Sequence, residues 1–251
     1  MSKVQLLFLM IAQGIAANGF AQQLSATQIV KKSDDLMRGK SAVSTMTMEI
    51  VRPTWKRSIT FKNWEKGRDL ALTLITAPAR DKDQSFLKIK NEMWSWNPSI
   101  NRVIKLPPSM LSQGWMGSDY TNDDVLKESS IVDDYIHKII KEEALGGYPC
   151  YVIELTPKPD AAVVWGKIIT YISKDNYFSL KADFYDEEGV LVKTHLAYDV
   201  KRMDDRQIPT RMEIIPADEP GNKTLVLIEQ ITFNVQLQDD FFSQQSMKRV
   251  R

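Results

Sequence analysis

The chain is poor in the residues that carry metal and redox chemistry. Its 251 residues include one cysteine, Cys150, and two histidines, His137 and His195. A lone cysteine excludes an intramolecular disulfide. The run "YPCYVIEL" around it alternates like a strand, so Cys150 reads as a small core residue; a catalytic thiol needs a nearby base, and none is suggested. The histidines lie far apart, in strand-like runs, and neither has His-x-x-x-His or Cys/His spacing, so no metal site is expected. Gly-x-Ser-x-Gly, P-loop and dinucleotide fingerprints are missing, and no cofactor is expected. An excess of charge is missing too. The 33 Lys+Arg face 32 Asp+Glu, which leaves nothing to attract nucleic acid or an anionic membrane surface.

Long apolar runs are equally scarce. The longest, Leu6 to about Ala17, is interrupted by Gln13 and falls short of the roughly 20 residues a membrane span needs. With Lys3 ahead of it and Gly19 and Ala21 at the small-residue positions, it reads as a secretory signal peptide covering residues 1–21, cut before Gln22. The expected mature chain, residues 22–251, would be one exported, soluble domain. No cysteine stands at the cleavage site, so the lipid anchor of a bacterial lipoprotein is not expected.

What is present is a helix followed by a long series of strands. Residues 25–38 begin with Ser25 and Gln28 at capping-box spacing, place Ile29, Val30, Leu36 and Met37 near one face, and stop at Gly39. The apolar period then changes from 3.6 to 2. Met46, Met48 and Ile50 alternate with polar residues, as do Leu70, Leu72 and Leu74, and then Leu87 and Ile89. Turn signals at Lys66-Gly67, Asn91-Glu92, Gly146-Gly147, Glu188-Gly189, Asp204-Asp205 and Gly221-Asn222 predict an antiparallel meander of about ten or more strands. A sheet of that size must curl into a barrel or wrap around something.

One region, about 107–134, interrupts the meander. Pro107 and Pro108 can open a short helix that Gln113-Gly114 would end, and Thr121 with Asp124 has N-cap spacing for a second. Trp94 and Trp96, two apart on a strand, point to one face. Met110, Leu111 and Trp115 of the insert could cover that face as a lid. The expected apolar cavity is lined by Met46, Met48, Leu72, Leu74, Trp94, Trp96, Ile104, Met110, Leu111 and Trp115. A plain, fully plugged core is the other reading.

The stretches "WSWNPSINRVIKLPPSM" (94–110), "MGSDYTNDDVLKES" (116–129), "GYPCYVIELTPKP" (147–159), "YDEEGVLVKT" (185–194), "IPTRMEI" (208–214) and "LQDDFFSQQSMKR" (237–249) resemble the outer-membrane lipoprotein-sorting protein family of the LolA/LolB-like superfamily. The resemblance spans nearly all of the mature chain, in order. It implies a mainly β (α+β) fold: a strongly curved, incomplete antiparallel β-barrel with helices covering its concave face. It also implies a soluble periplasmic carrier that shelters acyl chains of lipoproteins or lipids and transfers them toward the outer membrane. The partners it implies are an acylated lipoprotein or lipid, with an inner-membrane transporter and an outer-membrane acceptor as further candidates. One alternative is an accessory protein of an inner-membrane exporter that binds another hydrophobic ligand. A hydrolase using paired carboxylates (Asp123-Asp124, Asp133-Asp134, Asp186-Glu187-Glu188, Asp239-Asp240) is a third reading. Those pairs coincide with turns and helix starts, where carboxylates cap or are solvated, and no catalysis is expected.

Overall fold

The computed structural model describes residues 24–127 and 131–251. The expected signal peptide lies outside them. Helix α1 (Ala26–Arg38) leads into β1 (Ser41–Arg52), β2 (Trp55–Lys66), β3 (Leu70–Ala77), β4 (Ser85–Ile89), β5 (Glu92–Asn97) and β6 (Arg102–Lys105). A connection carrying the short helix α2 (Asn122–Lys127) leads to β7 (Tyr135–Leu145), β8 (Tyr148–Pro157), β9 (Lys167–Ser173) and β10 (Ser179–Tyr185). The chain continues through β11 (Leu191–Met203), β12 (Arg206–Pro216) and β13 (Lys223–Phe233) to the last helix, α3 (Gln244–Arg249).

Local chemistry accounts for most of these boundaries. Ser25 Oγ accepts from Gln28 N at 3.2 Å while Gln28 Oε1 accepts from Ser25 N at 2.8 Å, a capping box worth about 1 kcal/mol to α1. Between β7 and β8 the two-residue turn Gly146-Gly147 has φ of 59° and 86°. Such a turn matches the twist of the flanking strands, and only residues without a Cβ adopt it freely.

The strands form one antiparallel sheet in the order β6-β5-β4-β3-β2-β1-β13-β12-β11-β10-β9-β8-β7. Two meanders are therefore joined through the pairing of β1 with β13, which sets Ala42 opposite Phe233 and Val51 opposite Lys223. Register shifts at Thr45/Met46, Thr60/Phe61, Ile139/Lys141, Ser179/Lys181 and Phe184/Tyr185 mark bulges. Bulges bend a strand and increase its twist, so the sheet curls. It does not close. The result is an incomplete antiparallel barrel with free edges at β6 and β7.

The connection from β6 to β7 joins those two edges, so it must cross the inner face of the curl. There it packs with α1. Ile29 and Val30 of α1 bury against Val132, Tyr135, Ile153, Leu155, Ile168 and Ile172. Leu36 and Met37 pack against Ala42, Ile208, Ile228, Ile231 and Phe233. The final helix behaves differently. α3 and the residues before it cover the outer face, where Phe242 and Met247 bury against Trp64, Leu72, Leu74, Leu87 and Trp96. The expectation that helices cover the concave face thus holds for α1 and α2; α3 lies on the other side.

Candidate functional site: the covered inner face

Among its described residues, the connection crosses the sheet without joining it as a strand. Residues Pro108–Met110 and Trp115–Gly117 form single 3-10 turns, and α2 is six residues long. Thr121 starts α2 as expected. Its Oγ1 accepts from Asp124 N at 3.1 Å, and Asp124 Oδ2 accepts from Thr121 N at 2.7 Å. Between the turns, Trp115 N donates to Tyr120 O at 2.7 Å, and Ser118 Oγ donates to Trp115 O and Tyr120 O. The result is a compact loop with Trp115 at its head.

Trp115 is buried, with its ring edge-on to Phe61 (centroids 5.4 Å apart) and to Phe86 (5.3 Å). With Leu126 it buries against Met48, Ile50, Ile59, Phe61, Ile75 and Met93; Met46, Leu111, Met116 and Val125 pack around them. All the strand residues of this cluster lie on the inner face.

The ten residues expected to share one cavity are divided by the sheet. Met46, Met48, Leu111 and Trp115 come together on the inner face. Leu72, Leu74, Trp94 and Trp96 lie on the outer face, beneath Phe242 and Met247. The expectation that Trp94 and Trp96 share a face is met, but it is not the face that Trp115 covers. Strand alternation gives the reason: Met93, the neighbour of Trp94, points inward and leaves both tryptophans outward. Ile104 on the edge strand β6 is 47% exposed and Met110 is 38% exposed, so neither packs into the cluster.

Polar contacts add to this apolar attachment of the connection to the inner face. Arg52 donates to Asp119 through both terminal nitrogens, at 3.1 and 3.0 Å, and Thr224 Oγ1 donates to the same carboxylate at 2.7 Å. Asp119 N returns a bond to Thr224 Oγ1 at 3.0 Å. Arg57 donates to Met116 O at 3.2 Å and to Asp81 at 2.7 Å. Deeper in, Lys193 of β11 is bonded to Asp124 Oδ2, both side chains being only 5% exposed. The Lys193 ammonium also lies 4.6 Å from the Trp165 ring centroid, 5.3 Å from Phe184 and 6.0 Å from Tyr120.

Burial opposes ionisation of Asp124, but Lys193, His195 and the Thr121 hydroxyl together outweigh it and hold the carboxyl below its ordinary range. Beside the pair, the His195 ring sits 4.4 Å from Phe184 and 5.9 Å from Tyr120. Burial, reinforced by the Lys193 charge and only partly offset by Asp124, pushes the imidazole down to about 3, so it is neutral at physiological pH. The residue as a whole keeps some exposure, yet its Nε2 is sealed from solvent and has no hydrogen-bond partner among the described residues.

Neither this pair nor the Arg52–Asp119 fork was expected from the sequence. Asp123-Asp124 announced a helix start, and His195 stood out only as one of two histidines. A basic residue at an inward position of an alternating strand, as at Lys193, was the available signal.

Among the described residues, no group of His, Cys, Asp or Glu could hold a metal ion, and no helix is long and apolar enough to cross a membrane.

The curled open sheet is a LolA-like fold. The chain is similar to a LolA superfamily protein from Nitrosomonas europaea (22% identity, 89% of this chain and 100% of that one, TM-score 0.76). It is also similar to a putative outer membrane lipoprotein-sorting protein domain from Vibrio parahaemolyticus (20%, 89% and 98%, TM-score 0.77). A DUF1329 family protein from Desulfovibrio piger has the same fold (24%, 88% and 97%, TM-score 0.81). The model of an uncharacterized protein-like family matches residues 67–249, and the chain belongs to that family. A comparison with curated proteins found no match.

Proposed function

We propose that the protein is a periplasmic carrier that shelters the acyl chains of lipoproteins or lipids on its inner face and passes them toward the outer membrane. The observation that carries this reading is the cover. Met48, Ile50, Ile59, Phe61 and Ile75 form an apolar surface closed by a connection whose described residues form no strand of the sheet and are held largely by side-chain contacts. Such a cover can leave without unzipping the barrel, whereas a strand in its place could not. Each CH₂ removed from water is worth about 0.8 kcal/mol, so a 16-carbon chain represents roughly 13 kcal/mol of exposure that the inner face can relieve. Met46, Met48 and Met116 suit a surface that must repack around chains of differing shape. An inner-membrane transporter as donor and an outer-membrane acceptor as recipient fit this role.

We read the protein as a binder without catalytic turnover. Asp124 Oδ2 already accepts from Thr121 N, Thr121 Oγ1 and Lys193, so its carboxylate is committed to holding the connection in place. The test uses mature protein purified without detergent. A fatty acid or an acylated peptide is expected to raise the melting temperature, because it binds only the folded state. It should also change a fluorescence component that Trp115→Phe removes and Trp94→Phe does not. A melting curve and spectrum indifferent to every acyl ligand would overturn the reading. Native mass spectrometry of protein from its own periplasm identifies the cargo and separates lipoprotein from other hydrophobes.

A further inference from the structure

Lys193 is an unusual residue to find beneath an apolar cover. Its ammonium lies between two hydrophobic clusters: Trp165 and Phe184 pack against the Ile29–Leu155 cluster, and α2, which carries Asp124, sends Val125 and Leu126 into the Met48–Trp115 cluster. A buried ammonium keeps its charge only beside an anionic or polar partner, and burial already pushes Lys193 below its ordinary value, against the pull of Asp124. In the covered state that partner is Asp124, which belongs to the cover and not to the barrel. Any movement of α2 that opens the inner face therefore takes the counter-ion away. The rings of Trp165, Phe184 and Tyr120 stay around the ammonium only in part, since Tyr120 also belongs to the connection. His195 adds a second polar atom nearby, its sealed Nε2, which has no hydrogen-bond partner among the described residues.

We propose that Lys193 is the head-group subsite of the acyl-binding face: when α2 lifts, its ammonium exchanges the Asp124 carboxylate for the anionic head, carboxylate or phosphate, of an acyl ligand. This rests on the carrier reading and adds a ligand class to it. The tail would lie on the apolar clusters flanking Lys193, and Asp124 acts as a built-in surrogate that keeps the cation paired when no ligand is bound. Selectivity follows from the same requirement. A neutral head leaves Lys193 without an ionic partner, whereas an anionic head restores a charge-assisted bond.

The experiment compares dodecanoate, dodecyl phosphate, dodecanol and inorganic phosphate by titration calorimetry on the mature chain. Wild type should bind the two anionic amphiphiles about tenfold or more tightly than dodecanol, the usual value of a charge-assisted bond. Inorganic phosphate alone should not bind. Lys193→Met should reduce anionic binding to the level of dodecanol and leave dodecanol unchanged. Asp124→Asn should do the opposite, tightening the anionic ligands alone, because the competitor is gone; a merely structural role would weaken all three. If Lys193→Met does not fold, the double variant Asp124→Asn/Lys193→Met removes both charges and should show the same loss of preference. Equal binding of dodecanoate and dodecanol by wild type, or a preference that survives loss of Lys193, overturns the head-group assignment while the carrier reading stands. Saturable binding of inorganic phosphate that depends on Lys193 overturns it in favour of a free-anion site. Absence of binding by every amphiphile overturns both.

Discussion

Acidification should destabilise this protein through His195 in particular. Its imidazole titrates near 3 in the folded state because burial and the Lys193 charge disfavour the proton; in the unfolded chain it titrates near the ordinary value of about 6.5. Between those two values the unfolded chain binds a proton that the folded one refuses, so stability falls as pH falls. Each pH unit in the window costs about 1.4 kcal/mol. The loss should reach about 2 kcal/mol at pH 5 and about 4 kcal/mol at pH 3, levelling off at about 5 kcal/mol below that. Above about pH 6.5 the contribution is complete and constant. His137 is also pushed down by burial and adds in the same direction, while Asp124 and Glu213, held below their usual range, add their loss at lower pH. A matched variant removes these terms by subtraction. Urea unfolding of wild type and His195→Leu, at intervals from pH 7.5 to 5, should show the wild type losing about 2 kcal/mol relative to the variant. Parallel stability curves would refute the argument, because they would mean the ring is solvated enough to protonate without unfolding. His195→Gln, polar but not titratable, should follow the Leu variant in slope whatever its absolute stability.

Three further outcomes follow from named contacts. A Cβ on Gly114 would sit 2.1 Å from the Ser118 carbonyl oxygen. Gly114→Ala should therefore disrupt the Trp115 loop at a cost of about 1–3 kcal/mol, seen as faster protease cutting near residues 114–121 with the β-sheet circular dichroism unchanged. Arg52→Ala leaves the Asp119 carboxylate, 8% exposed, without its fork. Because Arg52 keeps some solvent contact, we expect a loss of about 2–3 kcal/mol in thermal or urea unfolding, and Arg52→Lys should recover only part of it. Met247→Ala opens a hole beneath α3 against Leu72, Leu87 and Trp96. It should cost about 2–5 kcal/mol in the same assay while leaving acyl binding intact, since that surface faces away from the cover.

The sequence carries everything in this protein that depends on neighbours along the chain. The Ser25–Gln28 pair starts α1, Gly146-Gly147 turns β7 into β8, and Thr121 with Asp124 starts α2, each through contacts within a few residues. Alternation also made the strands and the Trp94–Trp96 pairing legible. A period of two, however, states only that residues share a face and is blind to which face it is. That choice was made by what covers each side: residues 106–127 and α1 inside, the C-terminal segment outside. The join of β1 to β13 depends on pairs such as Ala42 with Phe233, and the bond from Lys193 to Asp124 spans 69 positions. No local pattern encodes such separations. Only the closing of the second meander onto the first turns the β6–β7 connection into a cover, because the two edges it must join end up on opposite sides of the same curl.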